Sequence, residues 1–503
     1  MNIKYQKPKN KGECSEPKLI YYGLLAFFSS IIFGCVTVFY NLHEFRTFCS
    51  TTYDFGLFLQ AIKDFSWRNM NPYLLNLNVS FLNDHWHPGL ILARIPGLFF
   101  SLSTSLILTE VFFLLVAAWV PFLLVKKNQL HLSCAVFINM YMLLNYYQWK
   151  AVFYPVHPAI WAHFFLMLGS FFVIKSEKKY GLAFFTILLA SCFGEQFSLS
   201  LFGFSIATFF CIRRYFLSLF SIFFSLIWTW FHLSGRAYFL GPIFYQTDRV
   251  AFYPLEVFKK YNWDLYQLKS ILLFFAVNLP LFYFISKKMK KKDFLDFLPI
   301  LGIFAPLVLG RILSGSFHAY YDSTCICALA SLGMLFFKSS QLVISYRSLV
   351  FSFVFFLLFS YFDLRMAYNT VINRKNKCIR MKENVSSIQK ERSQNLRNAI
   401  EIIENQGGAH ILVFGNLVPN FIEAFPQANI YTLGSNFKNK TKTIDWIVLE
   451  HGYFGHGWIE QLSEEKRSAL IKIPHLKIFK QTPNFSLFQG PIAVKDLQSA
   501  LNS

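Results

Sequence analysis

Negative charge is scarce in this chain: of 503 residues 27 are Asp or Glu, against 48 Lys or Arg, and ionisable groups of these four types make up only 15%. So few charges exclude a soluble globular enzyme of this size, and they exclude a disordered chain, which needs high charge and low hydrophobicity. Cysteine is also sparse. The nine residues are scattered through mostly apolar segments, and the closest pair, Cys325 and Cys327, has neither redox nor zinc-site spacing, which excludes a disulfide-stapled secreted domain. No internal repeat, low-complexity tract or heptad run stands out.

Hydrophobic residues are plentiful, at 54%, with 19% aromatic and a mean hydropathy of +0.39. Apolar runs of spanning length recur between residues 19 and 366, which reads as a polytopic helical membrane protein. The formal net charge of +21 would suggest nucleic acid in a soluble protein. Here the Lys and Arg lie in short loops between apolar runs, where they orient membrane helices, so no nucleic-acid partner is expected.

Residues 1–18 form a basic N-terminus that leads into the apolar stretch Leu19–Asn41, with no small-residue cleavage site after it. The expected reading is an uncleaved first span with its N-terminus in the cytoplasm. Further spans are expected near 104–125, 130–147, 158–174, 180–194, 197–212, 216–234, 269–287, 296–313, 323–338 and 346–366, eleven in all. The tract 180–212 decides the topology, because Lys175, Lys178 and Lys179 precede it and Arg213 and Arg214 follow it. Its 33 residues would make about 50 Å of single helix, too long for a core of roughly 30 Å, so a hairpin with its tip at Gly194-Glu195-Gln196 is expected. The stretch 88–103 is read as lying on the outer surface, since a crossing there would put Lys126 and Lys127 outside.

From about 367 the composition turns polar. An amphipathic helix over 383–405, stopped by Gly407-Gly408, precedes short strands at 410–414, 430–433 and 445–450 and a hairpin over 476–489. The expected architecture is thus an all-α membrane bundle, 19–366, of about 11 helices with a long outer loop 42–103 and juxtamembrane helices, carrying a small extracytoplasmic α/β domain, 367–503.

Ionisable residues are costly near lipid, so their positions carry information. They gather at the outer ends of spans: Asp54-Phe55-Gly56 with Gln60, Asn83-Asp84-His85-Trp86-His87-Pro88, His157-Pro158, Glu195, Arg236, Asp248-Arg249 and His318-Ala319-Tyr320-Tyr321-Asp322. Each has a structural alternative. Asp54 precedes a helical pattern and suits a helix cap; Glu195 suits a turn; Tyr320 and Tyr321 suit an interfacial aromatic belt. Glu110, about two turns into a span, is expected to reach the outer headgroups. Asp84, His85 and His87 are three metal-capable side chains, yet near neighbours seldom close a site without a ligand from elsewhere.

The ordered series Asp54-Phe55-Gly56 with Gln60, Asp84-His85 with Pro88, His157-Pro158, Glu195 and His318 with its following Tyr resembles the bacterial and archaeal membrane proteins grouped as domain of unknown function 2079. That family looks related to the GT-C glycosyltransferases. The likeness covers roughly 45–340, and Val156, Ala159, Gly194, Gln196 and His87 depart from its pattern. The resemblance implies transfer of a sugar from a polyprenyl-phosphate carrier outside the cytoplasm, in the plasma membrane. It implies catalytic roles for Asp54, Asp84 and Glu195, and substrate contacts from Gln60, His157, Arg236, Arg249, His318 and Tyr320. Asp84, His85 and His87 would hold a divalent ion if one is used. The alternatives are a transporter or flippase of a lipid-linked substrate, and a noncatalytic envelope assembly protein; the sugar and the acceptor are left open.

Overall fold

A computed structural model describes residues 16–47, 53–66, 68–75, 79–84, 86–153, 156–175, 178–211, 215–240, 272–286, 294–314, 319–371, 385–413, 417–432, 443–450, 464–473, 476–482 and 485–502. Up to residue 371 these are almost wholly helical. Three helices, Ile20–Arg46, Leu102–Lys126 and Ser323–Ser340, are long and apolar enough to cross a membrane, and eight shorter apolar helices pack around them. Bulky apolar side chains such as Phe210, Phe216 and Phe351 point outward, which a lipid environment permits and water would penalise.

The tract 180–212 divides as its length required, into Tyr180–Ala190 and Gln196–Cys211 about a 3₁₀ turn at Ser191–Phe193. Two spans expected to be continuous are broken. The first ends at Leu144, where the Asn145 side chain accepts the Tyr147 N–H at 3.0 Å and starts a new helix, Tyr146–Val152. Asn is among the best N-caps, so the break is encoded by one residue whose effect hydropathy does not register. The second is interrupted at Ser360, whose hydroxyl donates to the Leu144 carbonyl at 2.9 Å, so the two breaks meet. The stretch read as surface-lying forms two 3₁₀ helices, Pro88–Arg94 and Pro96–Leu98, before Leu102 opens the long helix.

In the tail, the helix Val385–Gln406 ends at Gly407, whose φ of +74° is the left-handed conformation a glycine stop provides. The first loop contributes a small antiparallel pair, β1 (Tyr73–Leu74) and β2 (Val79–Ser80). Five tail strands form one sheet: β3 (His410–Val413), β4 (Asn429–Tyr431), β5 (Thr443–Glu450), β6 (Lys477–Thr482) and β7 (Phe485–Ala493), in the order β4-β3-β5-β7-β6. β3 runs parallel to β4 and β5, and β7 runs antiparallel to β5 and β6.

The tail packs on one face of the bundle, called here the tail face. Asn420 donates to the Phe45 carbonyl at 2.7 Å, Lys63 to the Ala428 carbonyl at 2.9 Å, and the Glu423 carboxylate accepts the Ser103 N–H at 3.1 Å. That last bond meets one of the free donors in the first turn of the Leu102–Trp119 helix, where the helix dipole also favours an anion. The helix Tyr53–Asp64 is therefore held between the bundle and the tail.

Candidate active site

Four of the stretches that carry predicted residues meet, and the first to consider is 79–94. Leu82 donates its N–H to the Asn71 side chain at 2.7 Å, which fixes the start of the short helix Phe81–Asp84. Pro88 begins the 3₁₀ turn that follows, and Gly89 lets it approach the ring of Phe193; a methyl group at Gly89 would overlap that ring. Asp84 and His87, at either side of the bend, are buried at 1% and 2% exposure.

His157 arrives from the second stretch. Its ring centroid lies 6.0 Å from that of His87, and both rings meet Phe58 edge-on at 6.0 and 5.7 Å. What holds His157 is Glu110, whose carboxylate accepts the His157 backbone N–H at 2.7 Å. Glu110 is buried, so it does not reach the headgroups as its sequence position suggested. Its anchoring role has no signature in sequence, because the two residues lie 47 positions apart.

The third and fourth stretches meet at Glu195 and Arg236. The guanidinium Nη2 of Arg236 lies 3.9 Å from Glu195 Oε1, and its Nη1 donates to the Leu82 carbonyl at 3.2 Å. Asn83, next in line, donates to the Leu240 carbonyl at 2.5 Å. Arg236 thus ties the tip of the 180–212 hairpin to the segment that carries Asp84. Glu195 acts as more than a turn residue here, since its carboxylate faces a buried guanidinium.

Asp54 is the second residue of the helix Tyr53–Asp64, and Gln60 is buried on the same helix. Tyr320 belongs to the helix Ala319–Ser340. The positions of His85, Arg249 and His318 lie outside the described residues. Among the described residues no group of three or more His, Cys, Asp or Glu is arranged to hold a metal ion. Sequence reading missed Glu110 as an anchor and passed over His232, which packs against Trp86 with ring centroids 4.9 Å apart.

The described residues thus form a helical bundle with helices long and apolar enough to cross a membrane, buried polar groups within it and a small α/β domain packed against it. Among solved structures, the crystal structure of ArnT from Cupriavidus metallidurans bound to undecaprenyl phosphate matches with a TM-score of 0.54 over 94% of this chain and 98% of that chain, at 9% identity. The likeness at that identity is one of fold. No family model matches the chain, and a search of curated proteins finds none similar.

Proposed function

We propose that the protein is a GT-C-like transferase of the domain of unknown function 2079 kind, using a polyprenyl-phosphate-linked sugar on the extracytoplasmic side of the plasma membrane. The observation that carries this reading is that Asp84, His87, His157 and the Glu195–Arg236 pair, from four stretches of chain, are drawn together around the segment 81–87. ArnT, the fold neighbour, is bound to undecaprenyl phosphate in its own crystal structure, which supports a carrier of that chemistry.

The reaction needs a carboxylate to take the acceptor's proton as its oxygen bonds to the sugar's anomeric carbon. The bond from that carbon to the carrier phosphate breaks, and the phosphate leaves with the electron pair and is steadied by cationic donors. Asp54 is the proposed acid–base residue, with Asp84 beside the bend as its assistant. Arg236, Arg249 and His318 are the proposed phosphate contacts, and Gln60, His157 and Tyr320 contact the substrate. Glu195 orients Arg236. Buried polar side chains on rigid elements suit such work because they do not reorganise when charge develops.

The test is binding and turnover of polyprenyl-phosphate sugars by the purified protein in nanodiscs, with Asp54→Asn and Asp84→Asn as partners. Release of polyprenyl phosphate that drops at least about 100-fold in Asp54→Asn supports the assignment; full activity in that variant removes Asp54 from the mechanism. One observation favours a transporter instead. At the helix break, Tyr141 and Asn145 both donate to the Asn278 side chain, at 2.5 and 3.1 Å, a polar cluster within the bundle of the sort transporters use. Flux of a lipid-linked sugar in proteoliposomes without covalent product would establish that reading.

A further inference from the structure

The helix Tyr215–Trp230 does not simply end. It passes through a π-helical turn, Phe231–Gly235, before resuming at Arg236–Leu240. Single π turns are rare and concentrate where a side chain must be re-aimed. This one presents His232, which is fully buried, with neither ring nitrogen hydrogen-bonded among the described residues. The imidazole is flanked by two indoles, its centroid 4.9 Å from that of Trp86 and 4.8 Å from that of Trp228. Those indoles differ. Trp228 donates to the Ser191 hydroxyl at 2.9 Å, whereas the Trp86 indole N–H, also shielded from water, has no acceptor among the described residues. Arg236, four residues after His232, lies on the same helical face and turns toward Glu195.

Buried polar groups in proteins nearly always find partners, so two adjacent side chains with three unmet nitrogens between them call for a group that the described residues do not supply. The chemistry narrows what that group is. A neutral imidazole offers one donor and one acceptor, and the indole offers a donor. An anion would leave the accepting nitrogen unmet, a cation would face the Arg236 guanidinium, and an apolar ligand would satisfy none of the three. A set of hydroxyls, each both donor and acceptor, satisfies all of them, and the indole faces suit the C–H faces of a pyranose ring. Trp86 is only partly buried, which leaves a way in.

We propose that His232 and Trp86, beside the Glu195–Arg236 pair, form a hydroxyl-recognising subsite for a sugar ring. The proposal rests on the transferase reading above and adds to it where the sugar, rather than the phosphate or the prenyl chain, is recognised. His232 is the residue that discriminates, since a site built to bond a hydroxyl rejects ligands that lack it far more strongly than an apolar site rejects an extra one.

The test uses the full-length protein in nanodiscs, with tryptophan fluorescence reporting the binding of undecaprenyl phosphate alone and of a panel of undecaprenyl-phosphate hexoses. For at least one hexose the wild type binds the sugar-bearing carrier about ten-fold more tightly than the bare carrier, as one or two satisfied hydrogen bonds would give. In His232→Phe that increment disappears while bare-carrier affinity persists, which also shows that the variant is folded; Trp86→Phe loses part of it. A His232-dependent signal with free methyl hexosides and no carrier-linked increment keeps the subsite and assigns it to the acceptor sugar. An increment unchanged in His232→Phe overturns the proposal, as does binding of the bare carrier with no sugar preference, carried or free. If the wild type binds neither bare nor sugar-bearing carrier, the proposal falls together with the transferase reading.

Discussion

Two buried regions of this bundle are built in opposite ways. Where the helices Gln196–Cys211 and Phe294–Ser314 cross, Gly203 and Gly302 face each other so closely that a methyl group on either would overlap the other's carbonyl oxygen. Small residues let membrane helices approach backbone to backbone and gain dispersion contacts that lipid cannot match. Around His232 aromatic rings pack together, yet polar atoms among them find no partner among the described residues. The first region turns its burial into packing, and the second leaves polar atoms without a partner among the described residues. The comparison teaches that in a membrane protein burial alone does not separate scaffold from site; the satisfaction of polar atoms does.

The most forceful way to break the scaffold side is Gly203→Val, which adds bulk against the Gly302 carbonyl and the Pro306 ring. It is expected to cost about 3 kcal/mol or more, at the upper end for overpacked cores, and to abolish a cooperative melt in detergent. Glu110→Ala strands the His157 N–H in a buried setting at an expected cost of about 1–3 kcal/mol, read as a lowered Tm, while Glu110→Gln keeps an acceptor and loses less. Asn420→Ala removes one bond between tail and bundle, and a cost of about 0.5–1.5 kcal/mol should show as faster proteolytic release of the tail.

Lys63, on the first-loop helix Tyr53–Asp64 that the tail contacts, tests the same contact by pH. Burial lowers its pKa from 10.5, with the Asp64 charge opposing. Between that lowered value and 10.5 the unfolded chain binds more protons than the folded one, so stability rises as pH climbs through this window. A Tm that increases with pH relative to Lys63→Met is the expected sign; parallel profiles would show that the amine is solvated. The smallest effect on stability is expected from His232→Phe, because a ring of similar size replaces an imidazole that has no hydrogen bonds to lose among the described residues. An unchanged or slightly raised Tm sharpens the contrast with Gly203, whereas a large fall would show that His232 is scaffold.

Much of this was legible along the chain, for reasons tied to particular residues. The lysines before Tyr180 and the arginines after Cys211 forced a hairpin, and Gly407-Gly408 marked a helix end that the positive φ of Gly407 realises. Asp84, His157, Glu195 and Arg236 were singled out because ionisable groups near lipid are too costly to be incidental. What stayed illegible depended on single capping residues or on partners distant in sequence. Asn145 ends its span through a capping hydrogen bond that a hydropathy window averages away, and Ser360 bonds to the Leu144 carbonyl, 216 residues distant. Glu110 read as a headgroup-facing acid because nothing local reveals a backbone N–H 47 residues on. His232 lay within the span expected near 216–234 and was not singled out.

By itself, then, the sequence determined the solvent of this protein, the division into bundle and tail, the strands of the tail and the residue types available for chemistry. Each follows from composition, periodicity or charge within one short window, where the physics is local. Only the tertiary structure decided that the tail packs against the first loop, that Glu110 anchors His157, and that Glu195, Arg236, Trp86 and His232 share one buried neighbourhood. These arrangements depend on which distant surfaces fit each other, and close packing between elements is a property of three-dimensional shape that no single stretch of chain encodes.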